Sequence, residues 1–339
     1  MPTQDNCFRC SYRAYLRWRG DRFSLEMLVL RAVLVELEEL DVKTISVSKT
    51  SLSDYLRGLT STSSKFVWKI YRVKNIKFAV QSLWEHKPKL YTISRLGLKS
   101  VGKQICKYHE GPNEKIEEHW YCNRPAVSPN GFCSEHQKSP LAYYEKCTAG
   151  NLNACYAVDR LWAGEKYAVY LLAFGNNMFK AGMTRAWRVY TRILEQPHTV
   201  AHVVNVYDSI VSARQTERKL GRIVGVSEGM GVKREARLAT SLKKIVNRAI
   251  LEEEARRLAR LAARVAGGET SIELFTILPR RPELFANAKP IAFNELVGKS
   301  LEIVDYWGGY LLVKSDNMYY LVEKMDILHR ILRVFELTH

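Results

Sequence analysis

Seven cysteines, at positions 7, 10, 106, 122, 133, 147 and 155, are the residues of this 339-residue chain whose type and spacing most directly imply chemistry. Five of them lie between 106 and 155 with a histidine among them, a grouping that in a reducing compartment reads as metal ligation rather than disulfide bonding. The core pattern is Cys122-x10-Cys133-x2-His136-x10-Cys147. In Cys133-Ser-Glu-His136 the two side chains can reach one tetrahedral ion, and Gly131 just before them supplies a tight turn. Thiolate and imidazole together select zinc. The expected ligands are therefore Cys122, Cys133, His136 and Cys147, with Cys155 or Cys106 open as a substitute for Cys147. No open-position His/Glu arrangement accompanies them, so the ion is expected to be structural. Cys7-x-x-Cys10 cannot complete a site by itself.

The second chemical feature is charge. The net charge is +17, which favours polyanionic partners. Residues 41–105 hold thirteen Lys and Arg against three acids, and residues 233–266 hold ten against four, so the excess is clustered. No run of about 18 apolar residues occurs, so no membrane span is expected. The N-terminal Met-Pro-Thr-Gln-Asp has no basic-then-apolar leader, giving an expectation of a cytoplasmic protein with reduced thiols, with nucleoid association as the alternative.

The elements that would position these groups are read from periodicity. Residues 1–23 form a basic, aromatic arm. Ser24 is a suitable N-cap for a helix through Leu25, Leu28, Val29, Ala32, Val33 and Leu40. A short strand at 43–47, a short helix at 49–59, a second helix at 65–74 and two strand-like runs at 78–84 and 89–93 follow. That order, with Leu90-Tyr91-Thr92-Ile93-Ser94-Arg95-Leu96-Gly97 at its end, resembles a winged helix-turn-helix over residues 24–105. On the second helix Lys65, Lys69 and Arg72 form one basic stripe, continued by Lys74, with Lys87 and Lys89 on the wing. The resemblance implies insertion into the major groove of duplex DNA.

Farther along, Tyr167–Gly175, a two-Asn turn and Met178–Arg185 make a hairpin ending in Gly182-Met-Thr184, followed by a basic helix and a Glu217-bearing helix. This resembles the GIY-YIG nuclease core. Residues 106–339 resemble an uncharacterised archaeal family that joins a Cys/His knuckle to such a core and a β-rich tail. The resemblance implies Tyr170 as base or water-orienting group, Arg188 (with Arg192 as rival) on phosphate, and Glu217 on a Mg²⁺ ion. Ala168 stands in place of the first glycine and Lys180 in place of the second tyrosine, so Lys180 and Arg192 are read as phosphate-binding residues. Residues 233–266 read as one long amphipathic helix, and 279–339 as a β-rich module with strands at 300–305, 310–314 and 318–322.

The expectation is thus an α+β multidomain chain: arm 1–23, winged helix 24–105, zinc knuckle 106–160, GIY-YIG-like core 161–278 and β-rich module 279–339. Its partner is expected to be double-stranded DNA. A Mg²⁺-dependent endonuclease and an RNA- or ribosome-associated factor stand as alternatives.

Overall fold

The computed structural model describes residues 27–49, 62–175, 178–223, 226–227, 234–266 and 272–338. The arm with Cys7 and Cys10, the start of the expected first helix and nearly all of the expected short helix at 49–59 lie outside the described residues.

The chain begins as a long antiparallel hairpin, β1 (Met27–Lys49) with β2 (Thr62–Ser82). This does not fit the helices expected of a winged helix, because the described part of the first, 27–40, and the whole of the one at 65–74 fall in strands. The physical reason can be seen in the burial. Phe66, Trp68 and Ile70 point inward while Lys65 is exposed, a period of two rather than 3.6. In β1 the register shifts at Leu30/Ala32, Glu36/Leu37 and Glu39/Asp41 break the alternation, so the apolar spacing imitates a helix. The expected wing turn does occur: β3 (Lys89–Tyr91) folds back on β2, with Phe78 opposite Tyr91.

β4 (Arg95–Gln104) leads into a two-stranded ribbon, β5 (His109–Glu110) and β6 (Trp120–Tyr121). Helix α1 (Pro140–Thr148) starts with Ser139 as N-cap and proline in its first turn, and α2 (Leu152–Leu161) is capped by Asn151. The hairpin β7 (Tyr167–Gly175) and β8 (Met178–Arg185) then forms as read from the sequence. Helix α3 (Val189–Leu194), β9 (Val200–Tyr207), α4 (Ile210–Gly221) and the short β10 (Val226–Ser227) complete this unit. Asp159 of α2 accepts from the Ser209 hydroxyl at 2.6 Å and the Ile210 amide at 2.7 Å, fixing the start of α4.

The expected long helix is two: α5 (Arg234–Ile245) and α6 (Arg248–Ala266). Asn247 causes the break, since its side chain accepts the Ile250 amide at 3.1 Å and so caps a new helix. β11 (Ile272–Leu278), α7 (Pro282–Asn287) and β12 (Lys289–Pro290) precede an antiparallel meander of β13 (Ser300–Trp307), β14 (Tyr310–Ser315) and β15 (Met318–Glu323). The one-turn α8 (Lys324–Ile327) and β16 (Arg330–Thr338) end the described chain.

The result is α+β, with one large mixed sheet in the order β10-β8-β7-β9-β11-β2-β1-β16-β4-β13-β14-β15-β12. The N-terminal hairpin is the seam of that sheet. β2 pairs with β11 in parallel on one side, and β1 pairs with β16 on the other. Trp68, fully buried, bonds Thr276 Oγ1 across the seam at 3.1 Å, and Thr276 donates on to the Thr199 carbonyl at 2.8 Å.

Candidate metal centre and cationic cleft

Four ligand-type side chains meet between β4 and α1. Cys106 follows β4, Cys122 follows β6, and Cys133 and His136 sit on a tight turn opened by Gly131 at φ +78°. Their ligand atoms all lie within 4.8 Å of one another. Cys122 Sγ to Cys133 Sγ is 4.0 Å, and His136 Nδ1 lies 3.3 Å from Cys133 Sγ and 3.6 Å from Cys106 Sγ. A tetrahedral ion with ordinary zinc bond lengths would set sulfur–sulfur separations of about 3.8 Å and sulfur–nitrogen separations of about 3.6 Å. The cluster therefore matches a Cys₃His site and can hold a metal ion.

Cys106, not Cys147, is the fourth member. Cys147 and Cys155 form a disulfide between α1 and α2, which removes both from the ligand set and corrects the expectation of reduced thiols for this pair. Sequence spacing could not separate the candidates, because the choice depends on β4 delivering Cys106 from outside the knuckle. Burial pushes the Cys106 thiol up to about 12 and the Cys122 thiol up as well. Burial acts on Cys133 in the same sense, but hydrogen bonds from the His136 and Glu135 backbone and from Cys106 and Cys122 lower its pKa. The Tyr108 ring stacks on His136 at 3.8 Å and holds the imidazole in place.

Sequence reasoning missed the residue that anchors this centre. Arg31 of β1 is 2% exposed and donates to the carbonyls of Cys106 and Cys122, both at 2.9 Å, and to Asn123 Oδ1 at 2.9 Å. Burial lowers its pKa to about 10. The signal was present as a lone arginine in the apolar run Leu28-Val-Leu-Arg31-Ala-Val-Leu.

Beside the metal centre lies a cleft of about 510 Å³, lined by six Lys or Arg and three Glu side chains. Its walls come from β1, the β5–β6 ribbon, α1, the end of β8 with the turn into α3, and α8. At its floor Glu195 is buried and takes Arg188 at 3.4 Å, Arg192 at 3.0 Å and Lys324 at 2.5 Å. Burial alone would raise its pKa, but Lys324, Arg188 and Arg192 hold it well below the usual carboxylate range. Lys324, paid for by that carboxylate, is still lowered to about 8 by burial.

Arg185 differs from these cations. It is 4% exposed, and among the described residues it has no ion pair, while its Nε and Nη2 have no hydrogen-bond acceptor. Its guanidinium sits 4.7 Å from the Trp187 ring centre, 4.9 Å from Trp162 and 5.9 Å from Tyr144. Such contacts contribute up to about 2 kcal/mol each when desolvated, comparable in sum with the several kcal/mol for burying the charge. The aromatic box cannot accept from Nε or Nη2, however, and the cost of those unmet donors remains.

The residues carried by the nuclease resemblance are partly gathered but closed off. The Tyr170 hydroxyl, on a ring 2% exposed, accepts from Gln196 Nε2 at 2.8 Å, and Lys180 Nζ donates to Gln196 Oε1 at 2.8 Å. A Cβ on Gly182 would lie 2.5 Å from Tyr170 Cζ, so glycine there is what lets the ring pack. Glu217 is buried in an ion pair with Arg214, and Arg188 and Arg192 pair with Glu195, Arg192 also acting electrostatically on Tyr170. The basic stripe expected on a recognition helix is also dispersed: Lys69 pairs with Glu273 at 3.0 Å and Arg72 with Glu38 at 2.6 Å. Lys65, Lys74 and Lys87 are exposed, and Lys89 is 3.8 Å from Glu85.

Among the described residues no helix is long and apolar enough to cross a membrane. Comparison with protein-family models, curated proteins and solved structures returned no significant match.

Proposed function

We propose that this protein binds nucleic acid through the phosphate backbone, in the cationic cleft, on a fold held together by a structural zinc ion at Cys106, Cys122, Cys133 and His136. The observation that carries the reading is the cleft: cations from the turn after β8, from α3, from the metal-bearing segment and from α8 meet in about 510 Å³ on a chain of net charge +17. Positive charge supplied by several elements along a groove suits a polyanion, where a small anion needs one contact cluster.

The shape favours a single strand or a locally unpaired segment. Duplex readers project a helix or ribbon into a major groove, whereas this cleft is concave and has tyrosine and tryptophan on its walls, as single-strand sites do. The duplex-DNA expectation rested on the recognition helix, and that segment is a strand. The order of Tyr170, Arg188 and Glu217 supports a GIY-YIG-like core, with Lys180 in place of its second tyrosine. Gln196 on the tyrosine hydroxyl and Arg214 on Glu217 favour binding without Mg²⁺-dependent cleavage.

The test is fluorescence anisotropy with a labelled single-stranded DNA, its duplex and an RNA of the same sequence across a salt series, with Mg²⁺ or EDTA. The reading expects single strands to bind more tightly than duplex, with affinity falling steeply with salt. Thr191→Glu, at an exposed position lining the cleft, should weaken binding about tenfold or more. Unchanged affinity in that variant would remove the cleft from the account. Mg²⁺-dependent scission abolished by Glu217→Ala would make the protein an enzyme.

A further inference from the structure

We infer that Arg185 is the seat of one phosphate group, a specific subsite within the cleft and not merely part of its diffuse charge. The inference rests on the nucleic-acid reading for the identity of the larger ligand. Two donor groups without a hydrogen-bond acceptor line the same cleft, Arg185 through Nε and Nη2 and Trp187 through Nε1. The neighbouring His119 donates from Nε2 to the Pro112 carbonyl at 2.8 Å, so its Nδ1 is an acceptor and adds nothing for an oxyanion; its ring centre is 6.4 Å from that of Trp187. Glu165, the carboxylate that acts on Arg185 electrostatically, is engaged by Asn113 at 3.5 Å. A buried guanidinium whose free edges are not met by protein acceptors is suited to an oxyanion with several acceptor oxygens, and guanidinium geometry matches phosphate in bidentate fashion.

Arg185 also borders a second cavity of about 190 Å³, shared with His109, Trp162 and Glu165. The phosphate can thus be an internal diester with chain on both sides, or the terminal monoester of a strand. Both have the same oxyanion chemistry.

The test uses purified full-length chain, zinc-loaded, with three probes: inorganic phosphate, and one single-stranded oligonucleotide with a 5′-phosphate or a 5′-hydroxyl. Inorganic phosphate should raise Tm and compete with the oligonucleotide. Arg185→Met should abolish the phosphate-induced rise and weaken oligonucleotide binding about tenfold or more, while leaving the Tm of the ligand-free protein equal or higher, because a poorly compensated buried charge has gone. A purely structural arginine would instead lower that Tm and leave phosphate affinity alone, which would overturn the proposal. Trp187→Phe keeps the ring and removes one donor, so it should weaken phosphate severalfold even where Arg185→Met misfolds; no change there would also overturn it. Preference for the 5′-phosphorylated strand assigns the seat to a strand end, and equal binding assigns it to an internal diester. If phosphate binds at Arg185 but neither oligonucleotide does, the nucleic-acid reading fails while the seat stands. If oligonucleotides bind equally to wild type and Arg185→Met, the seat fails while that reading stands.

Discussion

Glu195 and Arg31 each hold several partners inside low-dielectric surroundings, so single substitutions there have large expected effects. Glu195→Gln leaves Arg188, Arg192 and Lys324 without their shared carboxylate, and it should cost about 3 kcal/mol at pH 7. The pH dependence follows from the depressed pKa of this group. Its stabilisation is complete above its ordinary value of 4.5 and is lost as pH falls below that. Denaturant melts at pH 7 and pH 4 should therefore differ less in Glu195→Gln than in wild type. Lys324 changes stability in the same sense but in a different window: with its pKa lowered to about 8 from 10.5, burial penalises its charged form, and stability from this group rises with pH between those two values. Arg31→Met strips the donors from two buried carbonyls of ligand-bearing residues and should cost about 3 kcal/mol. It should also speed loss of the metal to a chelator, which a stopped-flow indicator reads.

At the scale of elements, the N-terminal hairpin is a joint between two halves of a sheet, and its predicted variants separate that role from DNA reading. Lys69→Ala with Arg72→Ala removes exposed ion pairs on strand β2 and should leave nucleic-acid affinity and its salt slope unchanged. Trp68→Ala should instead cost about 4 kcal/mol, because it opens a cavity where β2 meets both β1 and β11. The hairpin was legible as strand only at 43–47 and from 78 on, and its 27–40 and 65–74 stretches read as helices. Bulges in β1 scatter its apolar residues, and the partner strands that bury them, β11 and β16, lie more than two hundred residues away. Where an element closes on itself the reading was good. The β7–β8 hairpin and the β13–β14–β15 meander have short turns and pair with neighbours, so local pattern carries the information. The split between α5 and α6 shows the same limit in small, since Asn247 is a cap only if its side chain turns back to Ile250.

For the whole molecule, the Cys₃His cluster lies where the segment carrying His109 and His119 meets β1 and α1, so an ion held there would brace the cleft. Chelation should lower Tm by about 10 °C or more and abolish nucleic-acid binding, both restored by zinc. Cys106→Ser should lose the bound ion. The pair Cys147→Ser with Cys155→Ser should keep it, at a stability cost of about 2 kcal/mol for a short disulfide loop. Metal content by elemental analysis distinguishes the two.

What the sequence by itself determined was composition and local pattern: an α+β chain of strong positive charge, three members (Cys122, Cys133 and His136) of a Cys/His cluster, and the hairpins of the central and C-terminal strands. These are set by residue types and by contacts between neighbours in the chain. The tertiary structure alone decided which cysteine completes the centre, that Cys147 and Cys155 pair with each other, and that Arg185 stands apart from the other cleft cations. Each of those depends on which distant groups arrive within bonding distance. Nothing in the spacing of a sequence records whether a buried charge will find a counter-charge.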